Sequence, residues 1–202
     1  MVDEAAAAIL AGGDGTRLGG ARKALLELEG RPFIARQLEV LRALFAEVFV
    51  VANDPAPFAP FGVPVVADLL VGKGAPGAVY TAVISARAPW VFCVGCDMPF
   101  LEREAIELLA ARRRGEAAAV APFRRGRPEP LFTFYSRRCA EPFGRLLRAG
   151  EPSLIGLLSQ VEVEQVGEAE LGAHRSRLFE NVNTPEDLAR LLAGRLSKPE
   201  GQ

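Results

Sequence analysis

Several residue types on which common chemistries depend are scarce in this chain of 202 residues: it has one histidine, one tryptophan, two tyrosines and three cysteines. A lone histidine, His174, excludes multi-histidine metal centres. With no nucleophile-elbow pattern around Ser85, Ser153 or Ser159, it also leaves no histidine-based catalytic triad. An odd count of three cysteines supplies no disulfide framework. No apolar run reaches the roughly 18–20 residues of a membrane-spanning helix, and the N-terminal stretch MVDEAAAAILAGG is acidic where a secretory leader is basic. An excess of positive charge is missing too. Lys plus Arg number 24 against 25 for Asp plus Glu, a net charge of −1, which argues against broad nucleic-acid binding but leaves room for a local anion pocket. The expectation is a cytoplasmic protein with no membrane and no nucleic-acid partner.

What is present is enough apolar material for a core: 50% of residues are hydrophobic and 24% charged, the proportions of one globular domain. That domain is expected over residues 1–196, with 197–202 a frayed tail. Continuous apolar runs at Ala5–Leu10, Val48–Asn53, Val63–Ala67 and Trp90–Cys96 read as strands covered on both faces. Between them, Phe33, Ile34, Leu38, Leu41 and Leu44 recur at helical spacing after Pro32, as do Val79, Val83 and Ile84, and Ile106, Leu108 and Leu109. Alternating strands and helices predict a three-layer α/β/α sandwich around a mostly parallel sheet. Ala117–Ala121 and Leu131–Tyr135, flanking the loop Phe123–Pro130, predict an antiparallel element in the second half. Phe179–Val182 reads as a last short strand, and Thr184-Pro185-Glu186-Asp187 as the start of a terminal helix. Phe58 and Phe61, in the loop Asp54–Gly62, are expected to close the core.

Ligands of open α/β sheets bind beyond the carboxyl ends of the strands, and the segments leaving those ends are chemically unusual here. The first, residues 10–23, packs five glycines into nine residues (12–20) and adds Arg17, Arg22 and Lys23. Glycines let the backbone approach a ligand and aim N–H groups at an anion, and a triphosphate wants both those donors and cations. Two familiar phosphate motifs fail. Lys23 follows Arg22 and precedes Ala24, so there is no P-loop, and the sixth residue from Gly13 is Leu18, so there is no dinucleotide fingerprint. The second strand also ends at Asn53 rather than at a ribose-binding acid.

Asp97, directly after the fourth strand, is a hard oxygen donor suited to Mg²⁺, which takes one or two carboxylates plus phosphate oxygens. Asp68 is either a second carboxylate on the same rim or a turn residue. Cys93 and Cys96 sit three apart on one strand, so their side chains point to opposite faces and pack in the core rather than bind metal. Asn181 and Asn183 are alternate residues that either share a cleft or cap turns. Arg124, Arg125 and Arg127 form either a solvated loop or a phosphate-facing hairpin. Metal-assisted phosphoryl or nucleotidyl transfer fits this inventory, because positioning and charge neutralisation carry it without a covalent intermediate.

Four stretches, LAGGDGTRLGGARK at 10–23, CDMP at 96–99, RPEPLFTFY at 127–135 and NVNTPEDL at 181–188, together resemble the molybdenum cofactor guanylyltransferases of the nucleotidyltransferase group, whose fold is a Rossmann-like α/β/α sandwich. The resemblance runs from Ala5 to about Leu192. It implies transfer of GMP from Mg·GTP to the terminal phosphate of molybdenum-molybdopterin. It further implies that Leu10, Ala11, Gly12 and Gly13 meet the nucleotide, that Arg17 and Lys23 meet its phosphates, and that Asn53 and Asp68 touch the nucleoside. Asp97 matches the magnesium-binding aspartate, and Asn181 and Asn183 match a pair near the pterin. Cofactor-insertion proteins and receiving molybdoenzymes are the implied protein partners.

Two departures stand out. Arg22 occupies the place of a frequent aspartate, and the usual Gly-Pro-Leu-Ala-Gly turn appears only as Gly74-Ala75-Pro76-Gly77-Ala78. Base choice at Leu10–Gly12 stays open between GTP and CTP. A sugar- or polyol-phosphate nucleotidyltransferase and a non-catalytic nucleotide-binding adaptor remain as alternatives.

Overall fold

A computed structural model describes residues 1–12, 23–150, 153–172, 178–179, 182 and 187. Chain order begins with β1 (Ala5–Leu10), the small hairpin β2 (Glu27–Leu28) and β3 (Arg31–Pro32), and helix α1 (Phe33–Leu44). Next come β4 (Glu47–Val51), a 3-10 segment at Ala56–Phe61, β5 (Val65–Val66), α2 (Gly74–Ser85), β6 (Trp90–Gly95) and α3 (Arg103–Ala111). The second half holds β7 (Ala119–Arg124), β8 (Arg127–Pro128), β9 (Phe132–Ser136), α4 (Ala140–Ala149), α5 (Leu154–Leu158), β10 (Val163–Gly167) and α6 (Glu168–Leu171).

The main sheet runs β10-β7-β9-β6-β1-β4-β5, with β8 paired to β7. Strands β5, β4, β1 and β6 are mutually parallel. Strand β9 runs antiparallel to both β6 and β7, and β10 returns parallel to β7. The expected three-layer, mostly parallel sandwich with an antiparallel element in its second half is therefore what the chain forms.

Both faces of the sheet are dry because β1 alternates its side chains between two cores. Ala5, Ala7 and Ile9 join one cluster, beneath Ile34, Leu38 and Leu41 of α1 and Ile106 and Leu109 of α3. Ala6, Ala8 and Leu10 join the other, with Val79 and Val83 of α2 and Phe143 and Leu147 of α4. The methyl side chains of β1 leave volume that aromatic residues fill. Phe92, aligned with Ala7, stacks on Phe45 at 6.0 Å and meets Phe132 and Phe134 at 4.9 Å each. Cys93 and Cys96 do fall in opposite cores. Burial pushes the Cys96 and Cys139 thiols up to about 12, so neither is a reactive thiolate. Phe58 is fully buried and Phe61 packs against the same cluster, closing the core as expected.

Some expected boundaries move. The run Val63–Ala67 contributes only Val65–Val66 as a strand, because Pro64 has no N–H to give a ladder. Gly74–Ala78, expected as a turn, is the opening of α2. Phe179 lies in a turn and Val182 in no strand, so neither joins the short strand expected over Phe179–Val182. The tail at 197–202 and the helix start at Thr184–Glu186 lie outside the described residues, whereas Asp187 is helical. Among the described residues, no helix is long and apolar enough to cross a membrane.

Because Phe92 joins three other rings across two strands and a helix end, Phe92→Ala should destabilise the protein by about 3–5 kcal/mol. Denaturant unfolding checks this; a loss below 1 kcal/mol would show that the aromatic cluster repacks freely.

Candidate functional site

The parallel strands β1, β4, β5 and β6 end at one level. Leu10 is in register with Val51 and with Gly95, and Val51 with Val66. The ladder continues one step past the strand ends: Ala11 N–H donates to Val51 O (3.0 Å), Cys96 N–H to Leu10 O (3.2 Å) and Ala52 N–H to Val66 O (3.0 Å). The residues immediately beyond, Gly12, Asn53, Asp68 and Asp97, therefore share one rim, where an open α/β sheet receives its ligands.

On one side of β1 lies a pair of polar groups from neighbouring strand ends. Asp68 N–H donates to Asn53 Oδ1 (2.9 Å) and Asn53 Nδ2 to Asp68 Oδ2 (3.3 Å). The loop after Asp68 is anchored where Leu69 N–H donates to the buried Thr81 Oγ1 at 3.0 Å. A Cβ on Gly12 would stand 2.9 Å from Asp68 Oδ2; only a residue without a side chain lets the carboxylate close over the end of β1. Asp68 is thus tied into the rim rather than left as an exposed turn residue.

On the other side stands Asp97. A Cβ on Gly95 would stand 2.6 Å from Asp97 Oδ1, so the carboxylate is folded back over its own strand end. Asp97 O accepts from Val182 N–H at 2.9 Å, and Val182 is buried with Leu28 and Phe33. That bond docks Val182 beside Asp97. The amide of Gln37, on α1, donates to Gly95 O at 2.8 Å and to Met98 O at 2.9 Å. Burial raises the Asp97 pKa above its ordinary value, while the Lys23 ammonium and a backbone hydrogen bond pull it partly back. Lys23 follows the glycine-rich stretch and faces Asp97 closely enough for the two charges to act on each other.

Leu10, Ala11, Gly12, Lys23, Asn53, Asp68 and Asp97 thus meet around the end of β1, in two clusters. Gly13, Arg17, Asn181 and Asn183 lie outside the described residues. The arginine loop is a tight β7–β8 hairpin with left-handed backbone at Arg125 (φ 48°) and Gly126 (φ 76°), the geometry two-residue hairpins prefer. Arg124 pairs with Glu129 at 3.1 Å and stacks over Phe179 at 4.8 Å, while Arg125 and Arg127 are exposed. Gly77 is where α2 closes on the preceding loop: its Cβ would stand 3.0 Å from Leu70 O. Gln37 and Gly95 escaped the sequence reading. A polar residue on the apolar stripe of α1, between Ile34 and Leu38, was the available signal for the first.

Among the described residues, no group of three or more His, Cys, Asp or Glu gathers to cage a metal. One half-buried carboxylate at a strand end is instead the donor set of a cation held mainly by substrate phosphates, and Asp97 fits Mg²⁺ in that sense.

A mostly parallel sheet whose rim carboxylate feels the charge of a lysine that follows a glycine-rich stretch is the arrangement of a nucleotidyltransferase-type enzyme. The family model described as the MobA-like NTP transferase domain matches residues 7–164, and the chain belongs to that family. It is 31% identical over 202 residues to the molybdenum cofactor guanylyltransferase of Desulfosudis oleivorans, covering 97% of this chain and 100% of that one. It is 35% identical over 194 residues to a probable molybdenum cofactor guanylyltransferase of Pelotomaculum thermopropionicum, with 94% of each covered. Among solved structures, molybdopterin-guanine dinucleotide biosynthesis protein A of Archaeoglobus fulgidus superposes with a TM-score of 0.77 at 25% identity, covering 94% of this chain and 98% of that one.

The raised pKa of Asp97 has a consequence for stability. Between its ordinary value and the raised one, the folded state holds the proton more tightly than the unfolded state, so this group's contribution falls as pH rises through that window. In chelator, Asp97→Asn should therefore raise the melting temperature relative to the parent more at pH 7 than below pH ~4. Melting at the two pH values checks it; an equal difference at both would be the contrary result.

Proposed function

We propose that the protein transfers GMP from Mg·GTP to the terminal phosphate of molybdopterin carrying molybdenum, forming the guanine dinucleotide cofactor and releasing pyrophosphate. The observation that carries this reading is Asp97 at the end of β6 under the influence of the Lys23 charge, in a chain that matches a molybdenum cofactor guanylyltransferase over 97% of its length.

An oxygen of the acceptor phosphate attacks the α-phosphorus of GTP. A new P–O bond forms as the bond to the bridging α–β oxygen breaks, and that oxygen leaves with pyrophosphate. The acceptor is a phosphate monoester whose second pKa lies near ~6, so it is already mostly dianionic at neutral pH. No side chain has to remove a proton, which accords with a single histidine in the chain.

Leu10, Ala11, Gly12 and Gly13 hold the nucleotide through backbone groups, and Asn53 and Asp68 hold the nucleoside. Arg17 and Lys23 neutralise the phosphates, with Lys23 also countering the charge that builds on the leaving group. Asn181 and Asn183 bind the pterin. Asp97 would hold the magnesium ion, which would supply Lewis-acid stabilisation of charge on the phosphates. The reaction belongs to the cytoplasm, and the product passes to cofactor-insertion proteins and molybdoenzymes.

Thermal melting with GTP, CTP and ATP, each with and without Mg²⁺, tests the substrate. At 100 times its Kd a nucleotide adds about 2.7 kcal/mol, a shift of roughly 5–11 °C at ~2–4 °C per kcal/mol. The expected result is a Mg²⁺-dependent shift with GTP; a shift with CTP alone would move the protein to the cytidylyl branch. Lys23→Ala should cut turnover by on the order of 100-fold with a melting temperature close to the parent's. Unfolding of that variant would instead make Lys23 a structural residue.

A further inference from the structure

We infer that Gln37 is a positioning residue: its side-chain amide clamps the turn that carries Asp97, so that α1 sets where the carboxylate stands. The inference rests on the reading of Asp97 as the metal-binding carboxylate.

Gln37 is fully buried on the inner face of α1, in line with Phe33, Ile34, Leu38, Leu41 and Leu44. Burying an amide without partners is unfavourable by about 1–3 kcal/mol. Here only half of it is satisfied: Oε1 is buried and finds no hydrogen-bond partner among the described residues. An apolar side chain of the same length would avoid that loss but would take the donor away from Gly95 O and Met98 O, so the amide is at this position for what its Nε2 holds.

Its Nε2 explains it. The two donated bonds, 2.8 Å to Gly95 O and 2.9 Å to Met98 O, bracket Cys96 and Asp97. The turn's own closing bond, Met98 N–H to Gly95 O, is longer at 3.3 Å. The Asp97 carboxylate rests over Gly95, so the peptide that Gln37 grips is the one on which the carboxylate lies.

The same helix also holds the opposing charge. One turn before Gln37, Phe33 N–H donates to Leu26 O (2.9 Å), and Leu26 N–H donates to Lys23 O (3.1 Å). Residues four apart share a helix face. Phe33 and Gln37 therefore tie the Lys23 turn and the Asp97 turn to adjacent turns of one rigid element. Freed from this clamp, the Asp97 turn can shift while Lys23 stays, and a carboxylate displaced by about 1 Å is a poor ligand to a cation that demands near-ideal geometry.

The test measures GTP binding to the full chain by calorimetry with and without Mg²⁺; the ratio of the two dissociation constants is the metal-dependent gain. Gln37→Met keeps length and apolar packing but has no donor. It should leave metal-free GTP affinity within about twofold and reduce the metal-dependent gain by about 10-fold or more, the usual effect of losing a group that orients a ligand. Leu41→Val, which loosens the same helix away from the turn, should keep the full gain, and Asp97→Asn should lose it. If Gln37→Met keeps the full gain while Asp97→Asn loses it, Gln37 only fills space and the inference fails alone. If Asp97→Asn keeps the gain, the reading of Asp97 fails and the inference falls with it. Should Gln37→Met not fold, Gln37→Asn, whose shorter amide reaches one carbonyl at most, carries the same comparison: a reduced gain supports the clamp and a full gain overturns it.

Discussion

The structure depends on one constraint, the common level at which β1, β4, β5 and β6 end. Parallel pairing puts Leu10 beside both Val51 and Gly95, and the backbone continues to pair one residue further on each side. No single strand brings two chemically useful side chains together. The shared register gathers a glycine from β1, an amide from β4, and carboxylates from β5 and β6. Asn53 and Asp68 are tied to each other and Asp97 sits in the hydrogen-bonded Gly95–Met98 turn, so this part of the rim inherits the rigidity of the sheet.

The electrostatics follow from that placement. Asp97 is drawn back over Gly95 into a half-buried position, which disfavours its charge, and Lys23 only partly compensates. A carboxylate held in that state gains more from an arriving cation than a fully solvated one would, because ionisation then recovers what burial took away. The opposite cluster is tied together by hydrogen bonds: the Asn53 amide supplies a donor to Asp68 Oδ2 and an acceptor to the Asp68 N–H. The rim thus has a carboxylate under a lysine's charge on one side of β1 and an amide-bonded carboxylate on the other, a division that suits a ligand with a polyanionic end and a polar heterocyclic end.

Much of this was legible in the residues. The central strands could be read because all are covered on both faces and so appear as unbroken apolar runs, and Asp97 could be read because a polar residue at such a run's end lands on the rim. The opposite orientation of Cys93 and Cys96 followed from strand periodicity alone. Strand β10 was missed because at the sheet edge Val163, Glu164, Gln165 and Val166 mix polar and apolar residues without a clean pattern. Gly74–Ala78 was expected as a turn through the family resemblance; the structure uses Pro76 in a first helical turn and Gly77 for close approach to Leu70. The partnership of Asn53 with Asp68 and the grip of Gln37 on Gly95 and Met98 join residues 15 or more apart, and no local pattern encodes them.

Four consecutive alanines, Ala5–Ala8, occupy the middle of the sheet, all nearly solvent-free, with helices closing on both sides. A strand made of methyl groups has no spare volume on either face, so a larger residue there would have to force two layers apart at once. The centre of the molecule is therefore frozen against drift by size rather than by chemistry. Beyond the strand ends, among the described residues, size is limiting only at single close approaches such as Gly12 against Asp68 and Gly77 against Leu70. New specificity in a chain of this design has one place to accumulate, at the rim, and can do so without renegotiating the interior.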